Sequence, residues 1–264
     1  MVRDPSKATD YSKLLHFCWS TSKADTASQC MYKFMRVYGD GVKESSHALT
    51  LGSDFHEIMA NELLTRNKDI NTLVKRLDEK PGCDPEIYSW SDGIVDFTTK
   101  WTDFMETNGF EATIEQKYAM TRDFKKADFF GDDAYIRGVF DLWGLDEKNN
   151  RLVVIDHKSS KSASSPAVVK THNQLNLYVV MLTRLFNLKW DYAHIALHYI
   201  RHNKIVWAKL SHKEVDNFEA RYLHFLSILE DRVVKAYETS NWERTPGFHC
   251  GWCSFKNECQ GKCK

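Results

Sequence analysis

Two aspartates and a lysine stand in two strand-like runs of the segment RGVFDLWGLDEKNNRLVVIDHKSSK. The polar turn DEKNN between the runs predicts a β-hairpin. If the turn is centred on residues 148–149, Asp141 lies opposite Asp156 with their β-carbons roughly 5 Å apart. Lys158, two residues beyond Asp156, shares its face, whereas the side chain of His157 points to the other face.

Two carboxylates at that separation repel each other unless a cation lies between them. Their hard oxygen atoms are ligands that suit Mg²⁺ or Mn²⁺. Such an ion can polarise a phosphoryl oxygen and lower the pKa of a bound water. Lys158 can orient that water or offset negative charge developing on a phosphate. The backbone carbonyl of His157 is a further candidate ligand. The sequence therefore predicts a hydrolytic metal site in this hairpin.

The alternative is a surface hairpin with scattered charges, because Asp and Lys are common residues. Against it, Asp156 ends the apolar run LVVI, where an unused charge is costly. Gln174 and Tyr178 are four residues apart on the next predicted helix, so they share a face that could reach the site. His56 lies in an early predicted helix and could complete the metal shell and favour Mn²⁺. A purely structural role remains the alternative for His56.

The helices that must position these residues follow from the spacing of apolar side chains. Apolar residues recur at helical spacing in 54–66, and residues 68–80 and 85–108 also predict helices. Residues 166–187 are apolar nearly all round, which predicts a buried helix. The N-terminal part of the chain is therefore expected to be helical.

Strand-like patterns begin at about residue 111, and the runs AHIALHYI and KIVWAKL predict a second hairpin. Ser211 and Glu214 form a capping box that opens a long amphipathic helix. This order predicts an α/β or α+β core in a single domain over residues 1–264. Its parts are a helical N-terminal part over 1–110, a catalytic core over 111–237 and a cysteine segment over 238–264.

Composition limits the function classes. The 264 residues carry no net charge, so DNA binding must rest on a local basic groove rather than on bulk charge. The N-terminal sequence lacks the apolar core of a secretory signal. The longest apolar stretch, around residues 175–182, is too short to cross a bilayer. We therefore expect an intracellular, cytoplasmic protein with no membrane partner.

Seven cysteines suggest a second metal centre. Their odd number, without a secretory signal, favours thiolate ligands over a disulfide framework. Cys18 and Cys83 are interpreted as buried or incidental thiols. Four of the seven fall in the last fifteen residues, namely Cys250, Cys253, Cys259 and Cys263.

Taken together, these residues resemble the RecB-like branch of the PD-(D/E)xK nuclease superfamily. The resemblance runs in order through GSDFH, IEQKY, GVFD, DHK and QLNLY. It implies a restriction-endonuclease-like mixed sheet flanked by helices. It also implies metal binding by His56, Asp141 and Asp156, and catalysis by Lys158. By the same resemblance the other residues that serve the site are Gln174, Tyr178 and Glu115.

The cysteine pattern resembles the iron–sulfur members of that branch, which include CRISPR-adaptation and recombination exonucleases. The resemblance implies a [4Fe-4S] cluster in which a remote fourth ligand, Cys30, joins Cys250, Cys253 and Cys259. Met31 stands where the family commonly has proline, and Ser159 stands where threonine is common. A zinc site built by the four C-terminal cysteines, with Cys263 in place of Cys30, is the alternative.

The resemblance implies a Mg²⁺- or Mn²⁺-dependent exonuclease that hydrolyses single-stranded DNA or DNA ends. It would act in recombination, repair, replication or CRISPR adaptation, beside integrase, helicase or recombination proteins, and inside the host cell if the chain is viral. A non-catalytic iron–sulfur scaffold that binds DNA is the alternative. Trp or Tyr side chains could stack on bases. The candidate groove cations are Lys117, Arg122, Lys125, Lys126, Lys161, Lys170 and Arg201.

Overall fold

A mixed β-sheet forms the centre of the protein in the computed structural model, which describes residues 11–44 and 46–259. Within that part the sheet has six strands in the order β2-β1-β3-β4-β5-β6. Only β4 and β5 run parallel; the other neighbours are antiparallel. The strands are β1 (Thr113–Met120), β2 (Lys126–Ala127), β3 (Ile136–Asp146), β4 (Arg151–Lys158), β5 (Tyr192–Tyr199) and β6 (Lys204–Leu210).

Helices cover both faces of this sheet. They are α1 (Thr21–Gln29), α2 (Met31–Phe34), α3 (His47–Leu64), α4 (Ile70–Glu79), α5 (Pro85–Tyr88), α6 (Ser91–Asn108), α7 (Pro166–Lys170), α8 (Asn173–Phe186) and α9 (His212–Thr239). A π-helical turn, Met35–Gly39, follows α2. This arrangement confirms the expected restriction-endonuclease-like layering of helices on a mixed sheet.

Two hydrophobic cores lie on opposite faces of β4. Leu152 and Val154 pack in the core beneath α8 and α9, whereas Val153 and Ile155 pack in the core beneath α3, α4 and α6. The run LVVI is apolar at every position because both of its faces are covered. β4 is therefore a central strand, and a charge at its end stands in an apolar environment.

The register of the β3–β4 hairpin is the one expected from the turn. Asp146 pairs with Arg151, and Leu142 pairs with Ile155. Continuing that register by one step places Asp141 opposite Asp156, just past the last regular pair. The predicted juxtaposition of the two aspartates is thus confirmed, at the point where β3 and β4 begin to separate.

The pairing of β1 with β3 is interrupted beside the same point. Ile114 pairs with Leu142 and Gln116 with Phe140, and the intervening Glu115 has a left-handed backbone with φ of 48°. Phe140 belongs to the core beneath α8, whereas Leu142 belongs to the core beneath α3. Since regular alternation would put residues two apart on one face, β3 must change face here. The irregularity coincides with the candidate carboxylates, as bulges often do next to functional sites.

Several element boundaries differ from those expected. α3 begins at His47, capped by Ser46, rather than at residue 54. The expected helix over 85–108 is divided into α5 and α6. The expected helix over 166–187 is divided at His172, whose backbone is extended.

Other elements match or add to the expectation. The capping box at Ser211 and Glu214 is present at the start of α9. Helices α1 and α2 lie in the part of the chain expected to be helical, although neither was predicted individually, and the short strand β2 was not predicted. None of the described helices is both long and apolar enough to span a membrane.

Candidate active site

An open cleft of about 1310 Å³ lies over the point where β3 and β4 separate. Its walls come from the start of α1, from α3, from β1, β3 and β4, and from the segment joining α7 to α8. All six of the side chains expected to serve catalysis line it, together with His56: Glu115, Asp141, Asp156, Lys158, Gln174 and Tyr178. The residues selected from sequence motifs therefore meet in one concave site.

Three of these side chains converge on a single point. One ligand atom each from His56, Glu115 and Asp141 lies within 4.8 Å of the others. Helix α3 brings His56 over the sheet because Phe55, the preceding residue, is fully buried in the core beneath it. The His56 Nδ1 atom lies 3.2 Å from Asp141 Oδ1. A nitrogen and carboxylate oxygens in this arrangement suit a divalent cation.

The Asp141 carboxylate is held from two sides. Its Oδ1 faces His56, and its Oδ2 accepts a hydrogen bond of 2.7 Å from the backbone N–H of His157. Burial raises the pKa of Asp141, and the charge of Asp156 raises it further, while the hydrogen bond from His56 opposes both. A bound cation would favour the ionised form of this carboxyl, because it would offset the repulsion from Asp156.

The imidazole of His56 responds to the same carboxylates. Burial lowers the pKa of His56, but the hydrogen bond and charge of Asp141 outweigh burial and leave the pKa raised. The pKa of the Glu115 carboxyl is raised by desolvation and then by Asp141. Glu115 stands next to Asp141 on the neighbouring strand, and its left-handed backbone occurs at that position. The structure thus places Glu115 among the candidate metal ligands, where the sequence had suggested only a catalytic role.

Asp156 is paired with the lysine two residues later. Lys158 Nζ lies 2.6 Å from Asp156 Oδ2, and the Asp156 side chain is 1% exposed. Burial lowers the pKa of Lys158, but the charge of Asp156 outweighs burial and leaves the pKa raised. Lys158 is therefore a cation in the cleft. The contact also confirms that Asp156 and Lys158 share one face of β4.

A chain of hydrogen bonds connects Lys158 to the sheet through α8. Lys158 Nζ donates to Gln174 Oε1 at 3.2 Å, and Gln174 Nε2 donates to the hydroxyl of Tyr178 at 2.9 Å. That hydroxyl donates to the carbonyl of Val139 at 2.5 Å. The predicted shared face of Gln174 and Tyr178 is confirmed, and it holds the lysine in position.

Gly138 makes room for this chain. The ring of Tyr178 stacks on Phe140 with centroids 3.9 Å apart. A β-carbon added at Gly138 would lie 2.6 Å from a ring atom of Tyr178. The glycine of the GVFD motif is therefore required for close packing of α8 on β3.

His157 points away from the cleft, as expected. Its ring is buried beside Phe97, and its Nδ1 lies 2.9 Å from Nδ1 of His198. Burial lowers the pKa of His157 well below its ordinary value, so the ring is neutral. Its backbone N–H bonds to Asp141, and the N–H and C=O of one strand residue point to the same edge. The carbonyl of His157 therefore faces the Asp141 side, where it was expected as a ligand.

The family model for the PD-(D/E)XK nuclease superfamily matches residues 18–260, which is most of the chain. The chain belongs to this superfamily. Nucleases of the superfamily use divalent metal ions, and the convergence of His56, Glu115 and Asp141 in the cleft fits such an ion. The donor set of one imidazole and several hard oxygens agrees with Mg²⁺ or Mn²⁺ chemistry.

Two solved structures are similar to this PD-(D/E)XK chain at low identity. One is titled "Crystal structure of SSO0001"; it has 12% identity and a TM-score of 0.33, and the match covers 96% of this chain and 98% of that one. The other is LHK-Exo in complex with dAMP, with 11% identity and a TM-score of 0.37, covering 87% and 96%. No curated protein matches the chain. The family assignment rests on the family model.

The expected groove cations lie outside the cleft, and three of the seven are engaged in ion pairs elsewhere. Arg122 pairs with Glu230, Lys170 pairs with Glu214 at 2.7 Å, and Arg201 pairs with Glu86. None of the seven lines the cleft. The cleft does contain Arg137 and Phe129, which the sequence motifs did not single out. Arg137 directly precedes the GVFD motif on β3, and that position was the available signal.

The cysteine segment packs against α2 and the π-helical turn. The Tyr32 hydroxyl donates to Glu258 at 2.6 Å, and Arg36 bonds to the same carboxylate at 3.1 Å. The backbone N–H of Tyr32 donates to the Glu243 carbonyl. The Cys30 thiol lies 3.9 Å from that same carbonyl oxygen. The segment is therefore docked beside Cys30, far from it in sequence.

The thiols at this contact are largely buried. Cys30, Cys250 and Cys259 are 8%, 8% and 6% exposed. Burial raises the pKa of the Cys253 thiol, and the nearby Cys259 adds to that rise. Within residues 11–44 and 46–259, no three cysteine sulfurs lie within 4.8 Å of one another. A single zinc ion would hold its sulfurs about 3.8 Å apart. Cys263, the zinc alternative to Cys30, lies outside the described residues.

Proposed function

We propose that this protein is a metal-dependent DNA exonuclease that hydrolyses phosphodiester bonds in single strands or at DNA ends. The observation that carries the proposal is the convergence of His56, Glu115 and Asp141 beside Asp156 and Lys158 in an open cleft. Membership of a nuclease superfamily supports DNA as the substrate. A recombination, repair, replication or CRISPR-adaptation setting, with integrase, helicase or recombination proteins as partners, follows from the resemblance alone.

The residues of the site have different proposed roles, of which metal binding is the first. His56, Asp141, Asp156 and the His157 carbonyl would hold Mg²⁺ or Mn²⁺, and Glu115 adds a fifth donor beside Asp141. A bound ion would polarise a phosphoryl oxygen and lower the pKa of a bound water, so that the water can lose a proton and attack the phosphorus. The carboxylates would supply negative charge that offsets the charge of the ion. Their two strands fix the spacing of the ligands.

Lys158 is proposed to act on the substrate itself. Its ammonium group is charged and lies in the cleft, so it can donate to a phosphate oxygen and offset the charge that develops there. Gln174 and Tyr178 are positioning residues, because they orient this ammonium group and do not contribute charge. Lys158 would exchange its contact with Asp156 for one with the phosphate once the cation neutralises that carboxylate.

A cleavage assay on end-labelled strands tests the activity. We expect anaerobically purified protein to shorten single-stranded DNA with Mg²⁺ or Mn²⁺ and not with a chelator, because the carboxylates need the ion. Separate labels on the two ends report the polarity of digestion. Lys158→Ala is the control for contaminating nucleases and should remove the activity. Absence of cleavage by the unmodified protein with either ion would favour a binding scaffold.

His56 is expected to set the preference for Mn²⁺, because an imidazole suits Mn²⁺ better than Mg²⁺. We expect His56→Ala to weaken Mn²⁺ binding by more than it weakens Mg²⁺ binding, measured by calorimetric titration of the metal-free protein. His47→Ala is the matched control, since His47 is the first residue of the same helix and contacts Asp84 outside the cleft. Equal losses for both ions would contradict a role in selectivity, and unchanged affinities would assign His56 a structural role.

The cysteine segment is proposed to hold a [4Fe-4S] cluster with Cys30, Cys250, Cys253 and Cys259 as ligands. Docking of the segment beside Cys30 supports a site that includes this remote cysteine. A [4Fe-4S] cluster takes four cysteine thiolates, the number that Cys30, Cys250, Cys253 and Cys259 supply. The cluster would join the two ends of the described chain.

A further inference from the structure

A pair of aromatic residues, one half-buried and one exposed, stands at the cleft. Phe129 and Phe130 lie in the loop that joins β2 to β3, with ring centroids 5.0 Å apart and planes at 87°. Phe129 lines the cleft, whereas Phe130 is 79% exposed. Because most of the Phe130 ring is in solvent, it is open to contact with a flat ligand such as a base.

Two cations flank this pair. The guanidinium of Arg137 lies 5.3 Å from the centroid of Phe129 and 5.7 Å from that of Phe130. Lys117 Nζ lies 5.7 Å from the centroid of Phe129. Arg137 also donates to the carbonyl of Phe129 at 3.3 Å, which fixes the loop to β3. The rings are therefore held in place rather than carried on a loose loop.

The same loop carries Asp128, Asp132 and Asp133. These carboxylates repel phosphates, so the loop itself is a poor site for a nucleic-acid backbone. A ring face has no such conflict with an unpaired base, and Arg137 and Lys117 can offset the acidic groups. The charges therefore favour binding of bases over binding of phosphates at this loop.

The distance to the metal ligands suits one continuous strand. Arg137 precedes Asp141 by four residues on β3, which is about 13 Å along an extended strand. Both residues line the same cleft. A short run of nucleotides can span that distance, with its backbone at the carboxylates and a base at the loop.

We propose that Phe130, supported by Phe129 and Arg137, stacks on an unpaired base and makes the site selective for single-stranded DNA. This inference rests on the proposed nuclease function and names its substrate class. A base that is still paired in a duplex is stacked on its neighbours and offers no free face to the ring. Selectivity follows from the aromatic loop, and cleavage follows from the metal site.

The test is the binding of a labelled oligothymidine without divalent cations, so that no cutting occurs. Phe130→Ala should weaken binding by about 5- to 150-fold, because one stacked base contributes about that factor. Phe130→Trp should retain or strengthen binding. On a strand of the same length whose bases are replaced by abasic sugars, Phe130→Ala should change nothing. Trp207→Ala, an aromatic residue 38% exposed on the opposite edge of the sheet, is the matched control.

The outcomes separate this inference from the proposed function. Equal binding by the unmodified protein and Phe130→Ala, in a protein that cuts DNA with Mg²⁺ or Mn²⁺, would overturn the stacking role alone. An equal loss on the abasic strand would also overturn it, since no base is then involved. Failure of the unmodified protein both to bind and to cut DNA would instead contradict the nuclease assignment.

Discussion

Asp156→Asn is expected to lower DNA cleavage by about 10³-fold or more, because the ion's stabilisation of the transition state contributes several kcal/mol. The substitution keeps the shape of a side chain that is 1% exposed and removes its charge. The fold should be retained, as judged by circular dichroism. Addition of Mg²⁺ or Mn²⁺ should raise the melting temperature of the unmodified protein, since a ligand that binds only the folded state stabilises it, and this shift should disappear in the variant.

Asp146→Asn is the matched control in the same hairpin. Asp146 is also 1% exposed, but it pairs with Arg151 at 2.6 Å at the turn, away from the cleft. We expect this variant to lose stability and to keep both its cleavage activity and its response to metal. Asp156→Asn with unchanged cleavage would remove Asp156 from the site. If Asp156→Asn does not fold, the site is tested instead with Lys158→Ala, which leaves the carboxylates in place.

If the proposed cluster is bound, Cys30→Ser is expected to remove its visible absorbance and to lower the free energy of unfolding. The proposed cluster would join Cys30 to Cys250 and so close most of the chain into one loop, for which the loss of chain entropy corresponds to about 5 kcal/mol. Both effects are measured on anaerobically purified protein. The brown colour and the iron content report the cluster, and denaturant unfolding reports the stability. Cleavage should fall in step with the loss of folded protein.

Cys18→Ser is the control for Cys30→Ser. Both thiols are 8% exposed and lie in the N-terminal part of the chain, but Cys18 packs beside Ala119 and Ala134 instead of the cysteine segment. Cys18→Ser should leave the spectrum unchanged. An unchanged spectrum in Cys30→Ser, with bleaching in Cys263→Ser, would transfer the fourth-ligand role to Cys263. A colourless protein with stoichiometric zinc would contradict the cluster.

The geometry of the hairpin could be predicted from sequence because it is local. The turn fixes the register, and the register decides which side chains share a face. The position of one turn was therefore enough to predict how Asp141, Asp156 and Lys158 are placed relative to one another. His56 and Gln174 lie on other elements, and their arrival at the same cleft came from the resemblance to a family rather than from periodicity.

Other features depend on contacts that local patterns do not record. Helix α1 buries only Ala24 and Ala27, so its sequence lacks the regularly spaced large apolar residues that predict a helix. The break between α7 and α8 occurs in a run that is apolar nearly all round. There the side-chain amide of the buried Asn176 satisfies the freed backbone by donating to the carbonyls of Lys170 and His172.

The groove cations show the same limit. Arg201 was expected to face DNA, but it pairs with Glu86 on α5, from a distant part of the sequence. Arg122 is likewise engaged by Glu230 on α9. Such ion pairs form only when the fold brings their elements together, so a count of basic residues does not identify a groove.

The Asp141 carboxylate is shared between an imidazole and the amide of the next strand. The backbone amide of His157 holds Oδ2 of Asp141, and this fixes the orientation of the carboxylate and therefore the position of Oδ1. Binding of a divalent cation there would therefore need no rotation of the Asp141 side chain, only exchange of the contacts that His56 and Lys158 make. The conformational entropy lost in ordering this carboxylate is thus lost during folding, so that a cation would bind to a preorganised site.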